Sequence, residues 1–169
     1  MKLAALFSGG KDSTYAIHLA KKLSHSVDVL LTLFPHSDES HLLHHPNIKF
    51  TTLQSESMGI PQLIEEIPSV ENETEFKKLE KLITLAKENH SIEGIVHGGI
   101  LSKYQKDNFS LICQKNDLEI ISPLWNKNPE SYMKELLEEN FEYIISSVSC
   151  DGLDDSWLCL LYTSDAADD

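Results

Sequence analysis

The chain contains no arginine: all 14 of its basic side chains are lysines, set against 27 acidic residues for a formal net charge of -13. Such a balance repels a phosphate backbone, and the side chain best shaped for forked phosphate contacts is missing. No nucleic acid is therefore expected as a partner. Cysteine is also scarce. Cys113, Cys150 and Cys159 lie far apart with no CxxC pair, which argues against a disulfide framework, a structural zinc site or a relay of paired thiols. No run approaches the roughly 18 apolar residues of a membrane span, and Met1-Lys2 leads into a strand-like run rather than a signal peptide. The expectation is a cytoplasmic protein with reduced thiols and no membrane contact. Internal repeats and low-complexity linkers are absent before the C-terminal tail, and 169 residues with 41% hydrophobic content suit one compact domain.

What is present is alternation. Leu3 to Phe7, Val27 to Phe34, Ile92 to Val96 and Tyr143 to Val148 are short aliphatic runs that fit strands buried on both faces of a parallel sheet, with weaker strands at Leu63 to Ile67 and Leu118 to Ile121. Between them, Ala16, Leu19, Ala20 and Leu23 share one helical face, as do Phe76, Leu79, Ile83 and Ala86, and Tyr132, Leu136 and Leu137 mark another. Strand then helix, repeated, predicts an α/β fold: a doubly wound, mostly parallel Rossmann-like sheet whose ligands sit beyond the carboxyl ends of the strands.

At the end of the first strand stands Ser8-Gly9-Gly10-Lys11-Asp12-Ser13, opening the first helix. Two glycines let successive N–H groups point into one concavity, and the helix start adds partial positive charge, which makes a nest for phosphate. The string is not a Walker A loop, because Ala5 and Asp12 stand where that motif needs Gly and Ser or Thr. A bare Gly-Gly before a helix is equally well a turn with Asp12 or Ser13 as the N-cap. The six-residue string is more specific than that. It resembles the SGGxDS signature of the PP-loop ATP pyrophosphatases, a superfamily that includes NAD synthetase, asparagine synthetase, GMP synthetase and several tRNA-modifying enzymes. The resemblance implies cleavage of ATP into AMP and pyrophosphate. On that reading Ser8, Gly9, Gly10 and Ser13 hold the leaving pyrophosphate, Lys11 offsets its charge, and Asp12 orients magnesium.

A longer resemblance, running from Lys2 to Leu158, is to the diphthine-ammonia ligases and their close relatives. Ser40 to Asn47, followed by Leu53-Gln54-Ser55-Glu56-Ser57-Met58-Gly59-Ile60-Pro61, is similar to a family stretch in which His44 takes the family's His position. Gly94 to Lys106 resembles the G-A-I-x-S-x-Y-Q-R block, departing at Gly99 and Lys106, where Ala and Arg are usual. Pro123-Leu124-Trp125 and Gly152 to Leu158 are similar to the family's P-L-W and GLDxSWLG segments. The resemblance implies that ATP and magnesium are used to adenylate a carboxylate, which ammonia then converts to an amide. In the family that carboxylate is diphthine on translation elongation factor two, and the product is diphthamide.

Besides the loop residues, Gly98 and Gly99 are expected near the nucleotide, and His44, Ser102, Tyr104 and Gln105 near the acceptor substrate. Each has a plainer explanation. Gly98-Gly99 follows a buried strand and would let the chain turn, although a glycine turn at that end of a strand is also where a ligand lies in this fold. Tyr104 and Gln105 either pack and cap a helix or position the substrate acid. His36, His41, His44 and His45 crowd one segment without zinc spacing, so no zinc is expected. Trp125 is assigned to the core, and Glu65-Glu66 and Glu138-Glu139 to solvated faces. Two further functions stay in view: a PP-loop enzyme acting on a tRNA base, and a module that binds adenine nucleotide without turning it over.

The family pattern stops at Cys159, where GLDxSWL is normally followed by Gly. Cys159 to Asp169 resembles a translated sequencing-library adapter, so 1–158 is read as an incomplete PP-loop domain and 159–169 as a non-native tail. The expectations are that the natural protein continues past Leu158 with an E-G-G-E motif, that this chain binds ATP or AMP weakly without amidating, and that residues after Leu158 pack on nothing.

Overall fold

The computed structural model describes residues 1–35, 48–67, 72–100, 102–148, 152 and 154–163, the side chains of residues 35, 72–74 and 105 excepted. It divides into two compact units, Met1–Trp125 and Asn126–Asp169.

In the first unit the strands β1 (Lys2–Leu6), β2 (Ser26–Pro35), β3 (Gln62–Ile67), β4 (Gly94–Val96) and β5 (Glu119–Ile121) form one sheet in the order β3-β2-β1-β4-β5, with every pairing parallel. The helices between them are α1 (Lys11–Lys22), α2 (Thr51–Met58), α3 (Asn72–His90) and α4 (Lys103–Lys115). Alternate side chains of β1 serve opposite faces, as a period of two requires, and a register shift in β2 between Val27 and Val29 offsets the alternation there. Leu3 and Ala5, with Val27 and Leu30, pack against Ala16, Ile17 and Ala20 of α1. Ala4 and Leu6, with Val29, Leu31 and Leu33, pack against Leu79, Leu82, Ile83 and Ala86 of α3 and Phe109, Ile112 and Cys113 of α4. Helices on both faces of a parallel sheet give the doubly wound α/β fold that the alternation predicted. The chain winds outward from β1 through β2 to β3, then returns to β4 on the other side of β1. The carboxyl ends of β1 and β4 therefore border the switch point, where such folds bind ligands.

Three local expectations need correction. Leu23 does not join the buried face of α1: it lies at the C-cap, 62% exposed, with Ser24 at φ 63° ending the helix. Glu65 is not a purely solvated residue, because its carboxylate is only 13% exposed and is paired with Lys78 (2.8 Å) and Lys81 of α3. Those hydrogen bonds, Lys78 first, hold its carboxyl below the usual range. Tyr143 to Val148 is not a sixth strand of the parallel sheet, for reasons visible in the second unit.

That unit opens with α5 (Pro129–Glu138), whose N-cap Asn128 accepts a hydrogen bond from the Ser131 N–H at 3.0 Å, with Pro129 in the first turn. A two-residue strand β6 (Tyr143–Ile144) then pairs antiparallel with β7 (Leu161–Tyr162). Tyr143 and Tyr162 stack with ring centroids 5.2 Å apart, and the Cys159 N–H donates to the Ile145 carbonyl at 2.9 Å. Residues just after Leu158 thus do pack, contrary to expectation; residues 164–169 and Cys150 lie outside the described residues. Among the described residues no helix is long and apolar enough to cross a membrane.

Candidate functional site

The glycines of the first loop are dictated by its path. Gly9 has φ +78°, a region that L side chains avoid, and a Cβ there would run into the Gln54 side-chain oxygen. Gly10, the N-cap of α1, brings no side-chain acceptor to the first-turn N–H groups. Neither Asp12 nor Ser13 is the cap. Ser13, 6% exposed, donates from its hydroxyl back to the Gly10 carbonyl at 3.0 Å and lies 3.3 Å from the Ser8 hydroxyl, while the Thr14 hydroxyl donates to the same carbonyl at 2.9 Å. These bonds engage the Gly10 carbonyl from the helix side. Lys11 and Asp12 pair at 2.6 Å, with about a third of each side chain exposed, so the loop carries a cation and a carboxylate side by side.

The second glycine turn is brought onto this loop. A Cβ on Gly98 would lie 2.5 Å from the Asp12 carbonyl carbon and oxygen and 2.7 Å from the Ser13 nitrogen. Gly98 is thus required by backbone packed on backbone at the start of α1, a reason that holds with or without a ligand. His97, just before it, is 2% exposed. Its Nδ1 accepts from the Gly99 N–H at 3.0 Å, so Nε2 carries the proton and donates to the Ser122 hydroxyl at 2.6 Å. Burial, and secondarily the charge of Lys106, pushes the His97 pKa down to about 4. A neutral histidine therefore braces the turn, with its ring edge-on to Phe109.

The residues expected on the acceptor side are placed less tightly. Ser102 precedes α4, and its carbonyl accepts from the Lys106 N–H at 3.0 Å. Tyr104, 45% exposed in the first turn of α4, meets the Phe76 ring of α3 at 6.1 Å. Lys106 lies 4.3 Å above the Trp125 ring. His44 and the Gln105 side chain lie outside the described residues, as do His36, His41 and His45.

Sequence reasoning missed Gln54 and His97 as parts of this framework. Gln54 reaches from α2 to donate from Nε2 to the Gly9 carbonyl at 2.9 Å, fixing the loop from outside. Thr32 supports the strand before it, donating to the Phe7 carbonyl at 2.8 Å and accepting from Gln62 at 2.7 Å. Gln54 and His97 stood inside the two blocks that carry the family resemblance, which was the available signal.

A family model described as the diphthamide synthase N-terminal domain matches residues 1–120. The chain belongs to this family. It is similar to the diphthine–ammonia ligases of Rattus norvegicus (33% identical) and Mus musculus (32%), in each case over 91% of this chain and 64% of the relative. The chain thus spans under two thirds of those relatives' length. Among solved structures, a predicted subunit of tRNA methyltransferase from Methanocaldococcus jannaschii superposes with a TM-score of 0.50 at 18% identity, covering 90% of this chain and 82% of that one. At that identity the likeness is one of fold.

Proposed function

We propose that this chain is the ATP-binding part of an ATP-dependent amide-forming ligase. The observation that carries the reading is the loop Ser8 to Ser13, set at the switch point with Gly98 packed on its helix start. The triphosphate lies over the N–H groups of the loop, with the Ser8 and Ser13 hydroxyls beside it. A carboxylate of the acceptor attacks the α-phosphorus, and the bond to the β-phosphate breaks to release pyrophosphate. Ammonia then attacks the acyl carbon of the adenylate, and AMP leaves as the amide forms. The acceptor is diphthine on translation elongation factor two and the product diphthamide, as the names of the relatives suggest for them. Ser102, Tyr104, Gln105 and His44 are the acceptor-side candidates, and the setting is the cytoplasm.

Among the described residues there is no group of three or more His, Cys, Asp or Glu that could hold a metal ion. A single carboxylate beside a phosphate cradle does fit magnesium that arrives with a nucleotide, since that ion takes one or two protein carboxylates along with phosphate oxygens and water. Asp12 would hold it, and the ion would neutralise charge on the phosphate oxygens.

The test is product analysis. Full-length protein supplied with labelled ATP, magnesium, ammonium and unamidated elongation factor two should yield AMP and pyrophosphate, with turnover that depends on the factor. ADP as product contradicts the reading.

A further inference from the structure

One buried acid is unused by anything described so far. Glu75, in the first turn of α3, is fully buried, and among the described residues neither of its carboxylate oxygens finds a hydrogen-bond donor. A carboxylate without partners is among the most costly groups to bury, and a native structure that keeps one needs a reason. The rest of the same stripe is ordinary core: Leu79, Leu82 and Ala86 pack with Leu33 and Ile67. Lys78 and Lys81, which share its helix, are both engaged by Glu65.

Position gives the acid a use. Because α3 begins just after β3, its first turn stands at the carboxyl edge of the sheet, the edge that also carries the phosphate loop and the Gly98-Gly99 turn. Phe76, the next residue, ties this turn to the first turn of α4 through Tyr104, and α4 follows directly on Gly98-Gly99. Since α3 and α4 cover the face opposite α1, Glu75 lies on the flank of the edge away from the phosphate loop.

We propose that Glu75 is an ammonium-binding residue that delivers the nucleophile of the amide-forming step. Two carboxylate oxygens with unused acceptor capacity call for a cation that brings N–H donors, and complete burial favours a small one. Ammonium supplies both, whereas a quaternary amine has no N–H and a metal ion would need further oxygen ligands. Ammonium gives one proton to a Glu75 oxygen. The ammonia left behind forms the C–N bond, the bond from the acyl carbon to the AMP oxygen breaks with its electron pair going to AMP, and the nitrogen releases one more proton to solvent. This inference rests on the ligase reading for its chemistry, and on geometry alone for the cation site.

Thermal unfolding of the chain in matched ammonium, sodium, potassium and tetramethylammonium chlorides tests it. Ammonium should raise Tm by about 2–4 °C above the other salts, and Glu75→Gln and Glu75→Met should each abolish the difference. Without ammonium, Glu75→Met should unfold no lower than the parent, because it removes a buried polar group without a partner among the described residues and puts an apolar one in its place. An equal response to all four cations, a response that survives in Glu75→Met, or a lowered Tm in that variant when the parent shows no ammonium response would overturn the proposal. An intact ammonium response in a protein that makes no AMP from ATP would instead remove the ligase reading and leave the cation site standing.

Discussion

The two flanks of the sheet's carboxyl edge are built on opposite principles. On the α1 flank the polar groups already have protein partners: Ser13 and Thr14 donate to the Gly10 carbonyl, Gln54 of α2 holds the Gly9 carbonyl, and His97 fixes the Gly99 N–H. On the α3 flank the Glu75 carboxylate is buried without a hydrogen-bond donor among the described residues. A site for a large, highly charged anion is preorganised by backbone and leaves little to induced fit, whereas a site for a small cation can be a single acid waiting for its donors. The first is rigid and readable, and the second is visible only once burial is known.

The sharpest way to break this contrast is to disturb the packing of the rigid flank. Gly98→Ala places a methyl group 2.5 Å from the Asp12 backbone, so it should destabilise the chain by about 1–3 kcal/mol and weaken nucleotide binding at least tenfold. Denaturant unfolding and calorimetric titration check the two effects. Next comes pH. The His97 pKa is depressed in the folded chain by burial, to about 4, while the unfolded chain titrates near 6.5, so the unfolded state binds more protons between those values. The stabilisation is complete above about pH 6.5 and is lost as pH falls toward 4, a change of order 3 kcal/mol. In His97→Gln the acid slope of stability between pH 6.5 and 4 should flatten; an unchanged slope would mean that His97 does not carry it.

Gly9→Ala should cost about 1–2 kcal/mol from its positive φ alone, plus the collision with Gln54. Pairing it with Gln54→Ala should recover the collision but not the dihedral cost, which a double-mutant cycle separates. The smallest effect is expected away from the edge, where Glu65→Gln removes the partner of Lys78 and Lys81 and should cost about 0.2–1 kcal/mol. That cost should appear above the carboxylate's unfolded pKa and vanish as pH falls through its lowered folded value.

The sequence made the rigid flank legible because its features are local. Glycines at fixed offsets after an apolar run, with a hydroxyl three residues into a helix, describe one turn of backbone, and alternation of strand and helix described the sheet. Gln54 was harder, since it acts on Gly9 across 45 residues and nothing in its own neighbourhood marks it. Tyr143 to Val148 looked like a buried strand by composition, yet pairing partners decide a strand, and Tyr143 finds Tyr162 in a two-stranded antiparallel sheet. The same partner gives the expected loose tail a place to pack. Glu75 carried no signal of its own: in a sequence segment rich in acids and lysines it is indistinguishable until the fold buries it.

The central claim is that the Ser8 to Ser13 loop is a phosphate cradle held in shape by the Gly98 turn. Calorimetric titration of the chain with magnesium pyrophosphate tests it most directly. The account predicts a single site whose affinity falls at least tenfold in Gly98→Ala, and again in Ser13→Ala, where only one hydroxyl and roughly 0.5–1.5 kcal/mol of stability are lost. No binding by the parent chain, or equal binding by both variants while they remain folded, would contradict it.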